Sequence, residues 1–215
     1  MSHDTASTET ATTDSLTMYA DYVCPFCYLG EASLSQYREG RDTPLNVEWH
    51  PFDLRSGKRG PDGEIDHAAD DGKDDAYYEQ AKENVRRLQK EYSVEMSLSI
   101  SQGVDSKNAQ QTALYVREKH PEKFEGFHER VFDALWKDER DIGDPDVLTD
   151  IGTEVGIDPD DIRAAIEDTD REAALEEQFE EAKRIGVTGV PTFIYQGHAA
   201  RGAVPPEHLQ RLVEG

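Results

Sequence analysis

Positive charge is scarce in this sequence. The 215 residues include 23 Lys and Arg against 46 Asp and Glu, which gives a formal net charge of -23 at pH 7. The acidic residues are spread along the chain, and nucleic acids, which are polyanions, are therefore excluded as partners. An acidic surface of this kind is typical of halophilic proteins, in which molar salt screens repulsion between carboxylates over roughly 3 Å.

Long apolar runs are also lacking. Residues 1–14 are rich in Ser and Thr and contain neither a basic cluster nor an apolar stretch. They predict a disordered tail and not a secretory signal or a membrane span. We therefore expect a cytoplasmic protein that does not associate with membranes. At this length the chain can bury a sizeable core without a stapling crosslink.

Cysteine is restricted to one motif, because Cys24 and Cys27 are the only two cysteines in the chain. A CxxC that directly follows an apolar strand favours disulfide exchange over packing. A structural crosslink is disfavoured, since so short a loop stabilises by only about 2 kcal/mol and a cytoplasm opposes it. A zinc site is disfavoured as well, because the histidines lack metal-ligand spacing. We expect no metal.

The apolar pattern divides the chain into strands at both ends and helices between them. Alternation predicts strands at 15–21, 45–52, 192–195 and 198–202, the last two joined by a two-residue turn at Gln196-Gly197. Helical spacing predicts a helix at 27–39, a series of helices between 77 and 185, and a last helix at 206–213. The two thiols lie at the first strand-to-helix junction.

This order predicts an α/β protein with a thioredoxin fold that is interrupted by a large all-helical insertion. The thioredoxin-like domain comprises a βαβ half at 15–66 and a ββα half at 186–215. The helical insertion domain occupies 67–185 between the two halves. The crossover of the βαβ unit is expected to be right-handed.

Four segments carry a resemblance to a known family. They are DYVCPFCYLG at 21–30, VEWHPFDL at 47–54, Asn108-Ala109 and GVTGVPTF at 186–193. With these motifs the chain resembles the DsbA-family thioredoxin-fold proteins, particularly the FrnE-like dithiol oxidoreductases, over residues 15–215. The resemblance implies a thiol-disulfide oxidoreductase or isomerase, with a cis peptide at Val190-Pro191 that faces the active cysteine.

The residues of the CxxC predict a division of labour. At the start of a helix the backbone N–H groups and the dipole favour a thiolate, so Cys24 is expected to be the exposed nucleophile. Cys27, one turn later, is expected to be the buried resolving cysteine. Asp21 is either a group that relays protons to the thiols or a loop-capping carboxylate. His50, at the end of the second strand, is either a proton relay or an ordinary edge histidine.

A substrate-binding surface is expected around the cysteines. Pro25 restrains the motif, and Phe26 offers apolar contact but no charge or hydrogen bond. The FrnE-like relatives usually have Pro-Trp at these two positions, and the strongly oxidising periplasmic members have Pro-His. The resemblance implies that the Val190 backbone pairs with an extended substrate strand and that Pro191 fixes this geometry.

Two other functions remain open. One is a glutathione-dependent isomerase or transferase of the kappa or 2-hydroxychromene-2-carboxylate isomerase type, although such relatives generally have serine at the position of Cys24. The other is a non-catalytic, redox-sensing binding protein. For the oxidoreductase we expect protein or small-molecule thiols and disulfides as substrates, a cellular reductant or oxidant as partner, and no bound cofactor, with glutathione as a candidate co-substrate.

Overall fold

A computed structural model describes residues 15–61, 63–69, 72, 74–99 and 103–215, so the tail predicted at 1–14 lies outside the described residues. The strands are β1 (Ser15–Ala20), β2 (Asn46–Pro51), β3 (Thr192–Tyr195) and β4 (His198–Arg201). The helices are α1 (Pro25–Glu39), α2 (Asp75–Tyr92), α3 (Lys107–Lys119), α4 (Pro121–Trp136), α5 (Pro145–Glu154), α6 (Pro159–Glu167), α7 (Thr169–Arg184) and α8 (Pro206–Glu214).

The four strands form one sheet in the order β2-β1-β3-β4. β1 and β2 are parallel, with Ser15 opposite Asn46 and Ala20 opposite Pro51. β3 is antiparallel to β1, and β4 is antiparallel to β3. Parallel neighbours require a crossover connection, which α1 supplies. The carboxyl ends of β1 and β2 therefore meet at one edge of the sheet, where the CxxC begins.

The hairpin between β3 and β4 follows directly from its two turn residues. Gln196 and Gly197 both have positive φ values, 46° and 82°. A two-residue turn of this kind matches the right-handed twist of the strands, and glycine adopts it without a steric penalty. The predicted hairpin is confirmed by the pairing of Tyr195 with His198.

Proline and aspartate mark where the inserted helices begin. Pro121, Pro145 and Pro159 occupy the first turn of α4, α5 and α6, where a missing N–H has no consequence. Side chains of aspartates accept backbone N–H groups at the starts of four helices: Asp74, Asp144, Asp158 and Asp168. Such caps also place negative charge at the positive end of the helix dipole. Part of the acidic composition thus has a local structural role.

One continuous core joins the sheet to the inserted helices. Side chains of β1 and α1 pack in the same buried cluster as those of α3, α4 and α5. The aromatic residues Tyr28, Trp49, Phe52 and Trp136 are all buried. This continuity lets the inserted helices contribute side chains directly behind the CxxC. None of the described helices is long and apolar enough to cross a membrane.

Stability is expected to rise with salt. At a net charge of -23 the folded chain is destabilised by repulsion between carboxylates, which added ions screen. We expect the melting temperature to increase between 0.1 and 1 M KCl, where the Debye length falls from about 10 to about 3 Å. Thermal melts over this range test the point, and a gain of about 1 kcal/mol corresponds to roughly 2 to 4 °C. A flat or falling midpoint would show that the acidic surface is not adapted to salt.

Candidate functional site

The CxxC lies where β1 gives way to α1. Cys24 is the N-cap of α1, in an extended conformation, and Pro25 is in the first turn. The Cys24 N–H donates to the Asp21 carbonyl at 3.1 Å, and the Cys27 N–H donates to the Cys24 carbonyl at 3.0 Å. These bonds turn Cys27 back toward Cys24, and the two free cysteines are 3.5 Å apart. The dithiol is therefore close enough to form a disulfide with little movement.

The expected exposure of Cys24 is wrong. Cys24 is only 3% exposed, and Cys27 is fully buried as expected. The physical reason is the loop before β3, whose Val190 carbonyl accepts a hydrogen bond from the Cys24 thiol at 3.6 Å. A substrate must therefore take the place of this contact to reach the sulfur.

Burial controls the reactivity of Cys27. Desolvation raises the pKa of the Cys27 thiol well above its ordinary value, and the hydrogen bond with Cys24 raises it further. Cys27 is therefore protonated at neutral pH. Because the thiolate is the nucleophile in disulfide exchange, Cys27 requires a base before it can attack.

The loop that carries Val190 and Pro191 is fixed against α1. The peptide bond between these two residues is cis. A Cβ atom at Gly30 would lie 3.1 Å from Pro191 Cγ, so only glycine leaves the proline ring its present place. The Thr192 hydroxyl donates to the Gly189 carbonyl at 2.7 Å and closes the turn. Val190 and Pro191, which the family resemblance implied as site residues, thus lie in the loop that contacts Cys24.

Phe26 lies partly buried between the main core and the cluster formed by Leu29, Val85, Leu88 and Tyr92. Pro25 is buried in the first turn of α1. The side chain of Phe26 therefore serves packing between α1 and α2 as well as any contact with a substrate.

Asp21 is the buried carboxylate of the site. It is fully buried, and its oxygens accept from the Val23 N–H at 3.2 Å, the Leu54 N–H at 2.9 Å and the Ser106 hydroxyl at 2.5 Å. Burial raises the pKa of Asp21 to about 6, although the three hydrogen bonds oppose the rise. The negative charge of Asp21 in turn helps to raise the pKa of Cys27. Asp21 thus caps the loop and is also electrostatically coupled to the thiol.

Ser106, the N-cap of α3, and Gln110, in the first turn of α3, support Asp21, and sequence reasoning missed both. Gln110 donates through Nε2 to Ser106 Oγ at 3.0 Å and to the Phe52 carbonyl at 3.2 Å, while its Oε1 accepts from the Phe52 N–H at 3.2 Å. Both side chains are buried. The only sequence signal was a serine at the start of a helical run, which does not reveal a partner 85 positions away.

A second buried network fixes Tyr22, the next residue along the loop. Its hydroxyl lies 2.7 Å from His128 Nδ1, and His128 Nε2 lies 3.0 Å from a carboxylate oxygen of Glu31. Trp136 donates from its indole nitrogen to the Tyr22 carbonyl at 2.8 Å. Helix α4 therefore anchors the loop that leads into the CxxC.

His50, near the carboxyl end of β2, makes its side-chain contacts with β1 and α7. Its ring lies 4.5 Å from that of Tyr19 and 3.8 Å from a carboxylate oxygen of Glu181 on α7. Burial lowers the pKa of His50, which favours the neutral ring. These contacts fit an ordinary edge histidine.

Three features define a thioredoxin-fold protein with a helical insertion. They are the thioredoxin-like sheet, the CxxC at the start of the first helix and the cis-proline loop that contacts the first cysteine. Within the described ranges, no three His, Cys, Asp or Glu side chains are grouped as metal ligands. The chain belongs to the DSBA-like thioredoxin domain family, whose sequence profile matches residues 15–214.

Relatives and solved structures agree with this membership. An uncharacterised protein of Bacillus subtilis, YwbO, is 30% identical over 202 residues, which is 91% of this chain and 94% of the relative. The crystal structure of a probable DsbA oxidoreductase from Streptomyces coelicolor, SCO1869, superposes with a TM-score of 0.77 at 20% identity, covering 93% of this chain and 88% of the other. A 2-hydroxychromene-2-carboxylate isomerase superposes with a TM-score of 0.72 at 17% identity, covering 93% and 92%.

Proposed function

We propose that this protein is a thiol-disulfide oxidoreductase of the FrnE-like type that acts through Cys24 and Cys27. The observation that carries the proposal is the free dithiol at 3.5 Å, with Cys24 at a helix start and Cys27 buried behind it. Family membership supports it, because the same fold houses DsbA oxidoreductases.

The reaction proceeds in two displacements. The Cys24 thiolate attacks a substrate disulfide, forms a mixed disulfide and releases the first substrate thiolate. Cys27 then loses its proton, attacks Cys24 Sγ and releases the second substrate thiolate, which leaves Cys24 and Cys27 joined by a disulfide. The substrate gains two electrons and the dithiol loses them. A cellular thiol reductant resets the enzyme, and an oxidant drives the same steps in reverse.

Asp21 is the base for the second displacement. Its carboxylate is buried beside the motif and has a pKa of about 6, so it is ionised at neutral pH and can accept the Cys27 proton. A base with a pKa near the working pH combines the correct ionisation state with useful basicity.

The substrate occupies the surface around Phe26 and Val190. An extended substrate segment would pair with the Val190 backbone and displace the Cys24 thiol from its carbonyl, while Phe26 supplies apolar contact. We propose both protein disulfides and small disulfides such as oxidised glutathione as substrates. We place the reaction in the cytoplasm.

Turnover assays with single-cysteine variants test the proposal. The wild type is expected to catalyse the reduction of insulin and of a small aromatic disulfide in the presence of a thiol reductant. Cys24→Ser is expected to fall to the uncatalysed rate, because a serine hydroxyl is not ionised at neutral pH. Cys27→Ser is expected to accumulate a Cys24 mixed disulfide that mass spectrometry detects.

The same assay separates the alternatives. The superposition with a 2-hydroxychromene-2-carboxylate isomerase favours a glutathione-dependent isomerase as the second candidate. Activity that requires bound glutathione but not Cys27 would support that candidate. A protein that binds ligands but shows no exchange with either substrate would be a redox-sensing binding module.

A further inference from the structure

Ser106 occupies a capping position but does not cap its helix. It is the N-cap of α3, and its hydroxyl makes no hydrogen bond to the N–H groups of the first turn. A serine at this position ordinarily accepts from those groups and stabilises the helix. Here the hydroxyl is directed to Asp21 Oδ1 at 2.5 Å instead. Helix α3 therefore lacks a side-chain cap from Ser106, whose hydroxyl bonds to the buried carboxylate instead.

The hydroxyl differs in kind from the other partners of Asp21. The N–H groups of Val23 and Leu54 are fixed by the backbone and can only donate, so neither can accept a hydrogen bond from the O–H of the protonated acid. A hydroxyl can donate to the carboxylate or rotate to accept from the protonated acid. Of the three groups that contact Asp21 within the described residues, Ser106 alone can serve both forms.

Gln110 holds the hydroxyl oxygen in place during such a rotation. Its amide is fixed at both ends by Phe52, and its Nε2 donates to Ser106 Oγ. A second clamp lies next to Ser106, where Asp105 binds Arg59 at 2.7 and 2.8 Å. Because these contacts hold the heavy atoms of Ser106, its hydroxyl can change from donor to acceptor by rotation of its proton.

We propose that Ser106 is a positioning residue for proton transfer from Cys27, whose hydroxyl stabilises Asp21 both before and after Asp21 takes the proton. This inference rests on the proposed function. In the resting enzyme the hydroxyl donates to the Asp21 carboxylate. When Cys27 S–H transfers its proton to Asp21, the hydroxyl turns its own proton away and accepts the new O–H. No electron moves in this step, and Cys27 becomes the thiolate that attacks Cys24.

Other ionisable groups lie near Asp21. Asp53 lies on the segment after β2 and is paired with Arg59 at 2.7 Å. Arg55, on the same segment, interacts electrostatically with Asp21 and remains a cation throughout the neutral range. On the other side, burial raises the pKa values of Tyr22 and Cys27 well above their ordinary values. A transition near pH 6 in the Cys27 step therefore reports on Asp21.

Single-turnover kinetics with 5,5′-dithiobis(2-nitrobenzoate) test the proposal. Attack by Cys24 releases the first thionitrobenzoate, and attack by Cys27 releases the second, so stopped-flow absorbance separates the two steps. The hydrogen bond that the hydroxyl donates to the charged carboxylate is stronger than the one that it accepts from the neutral acid, so it favours the carboxylate on balance. Ser106→Ala is therefore expected to raise the pH midpoint of the second phase by about one unit, which slows that phase about fivefold at pH 6. The first phase is expected to be unchanged.

Two further variants complete the experiment. Ser106→Thr keeps the hydroxyl and is expected to restore the wild-type pH profile. Ser106→Gly removes the hydroxyl but retains a residue that is favoured at N-caps, and it tests the proposal independently if the alanine variant folds poorly. Equal pH profiles in wild type and the folded hydroxyl-less variants would overturn the inference, as would equal slowing of both phases. Absence of a Cys24-dependent first phase in the wild type would instead overturn the proposed function.

Discussion

Asp21→Asn is expected to remove a fall in stability that the wild type shows as the pH rises through 6. The pKa of Asp21 is about 6 in the folded protein, against an ordinary 3.8. Between these values the folded state binds more protons than the unfolded state, so the wild type loses stability as the pH increases, at about 1.4 kcal/mol per pH unit. The wild type should therefore lose about 2 kcal/mol relative to the variant between pH 4.5 and 7.5.

The sign of this change does not depend on how well asparagine fits the site. The amide leaves one of the three donors facing an N–H, which destabilises the variant by a pH-independent amount. Urea unfolding of both proteins in the reduced state, at several pH values, measures the difference directly. Asp42→Asn, at an exposed position, controls for the loss of one carboxylate. Parallel curves for wild type and Asp21→Asn would show that Asp21 is not perturbed by burial.

The unfavourable burial of Asp21 is understandable if the carboxylate has a chemical role. Asp21 has no ion pair among the described residues, and burying an ionised group in this way is destabilising, because its three hydrogen bonds offset only part of the desolvation. The position is nevertheless surrounded by donors from three parts of the fold: the loop after β1, the segment after β2 and the start of α3. The helices inserted between β2 and β3 thus complete the site, because Ser106 and Gln110 lie at the start of α3.

Local patterns predicted the parts of this protein that depend on local chemistry. The β1 and β2 strands follow from alternation, and the Gln196-Gly197 hairpin follows from turn geometry. The position of Cys24 at the start of α1 could be predicted as well, because the apolar pattern changes from strand alternation to helical spacing at the CxxC.

Contacts between distant segments could not be predicted in the same way. The low exposure of Cys24 depends on a loop 166 positions away, and the hydrogen bond to Asp21 comes from a serine 85 positions away. Contacts over such separations produce no local pattern of residues from which they could be predicted. Asp21 itself could be identified as a candidate from its position, but the choice between loop cap and proton acceptor required its burial and partners.

The dipeptide between the cysteines sets the expected redox poise. A histidine at the second position can stabilise the Cys24 thiolate by charge and hydrogen bonding, which favours the reduced enzyme and makes its disulfide a strong oxidant. Phe26 has neither property, and its ring packs against the core between α1 and α2. The disulfide of this protein is therefore expected to be less oxidising than that of relatives with histidine at this position.

Phe26→His is expected to raise the reduction potential of the Cys24–Cys27 couple. The wild type should have a potential in the range of roughly -200 to -270 mV, and the histidine variant should shift toward the roughly -120 mV of DsbA. A rise of about 30 mV already corresponds to a tenfold change in the equilibrium. Phe26→Leu is the matched control, because it also loses the phenyl ring but gains neither charge nor hydrogen-bonding capacity. Equilibration of the three proteins against defined glutathione ratios measures the potentials, and a wild-type value near -120 mV, or an equal rise in both variants, would contradict the role assigned to the dipeptide.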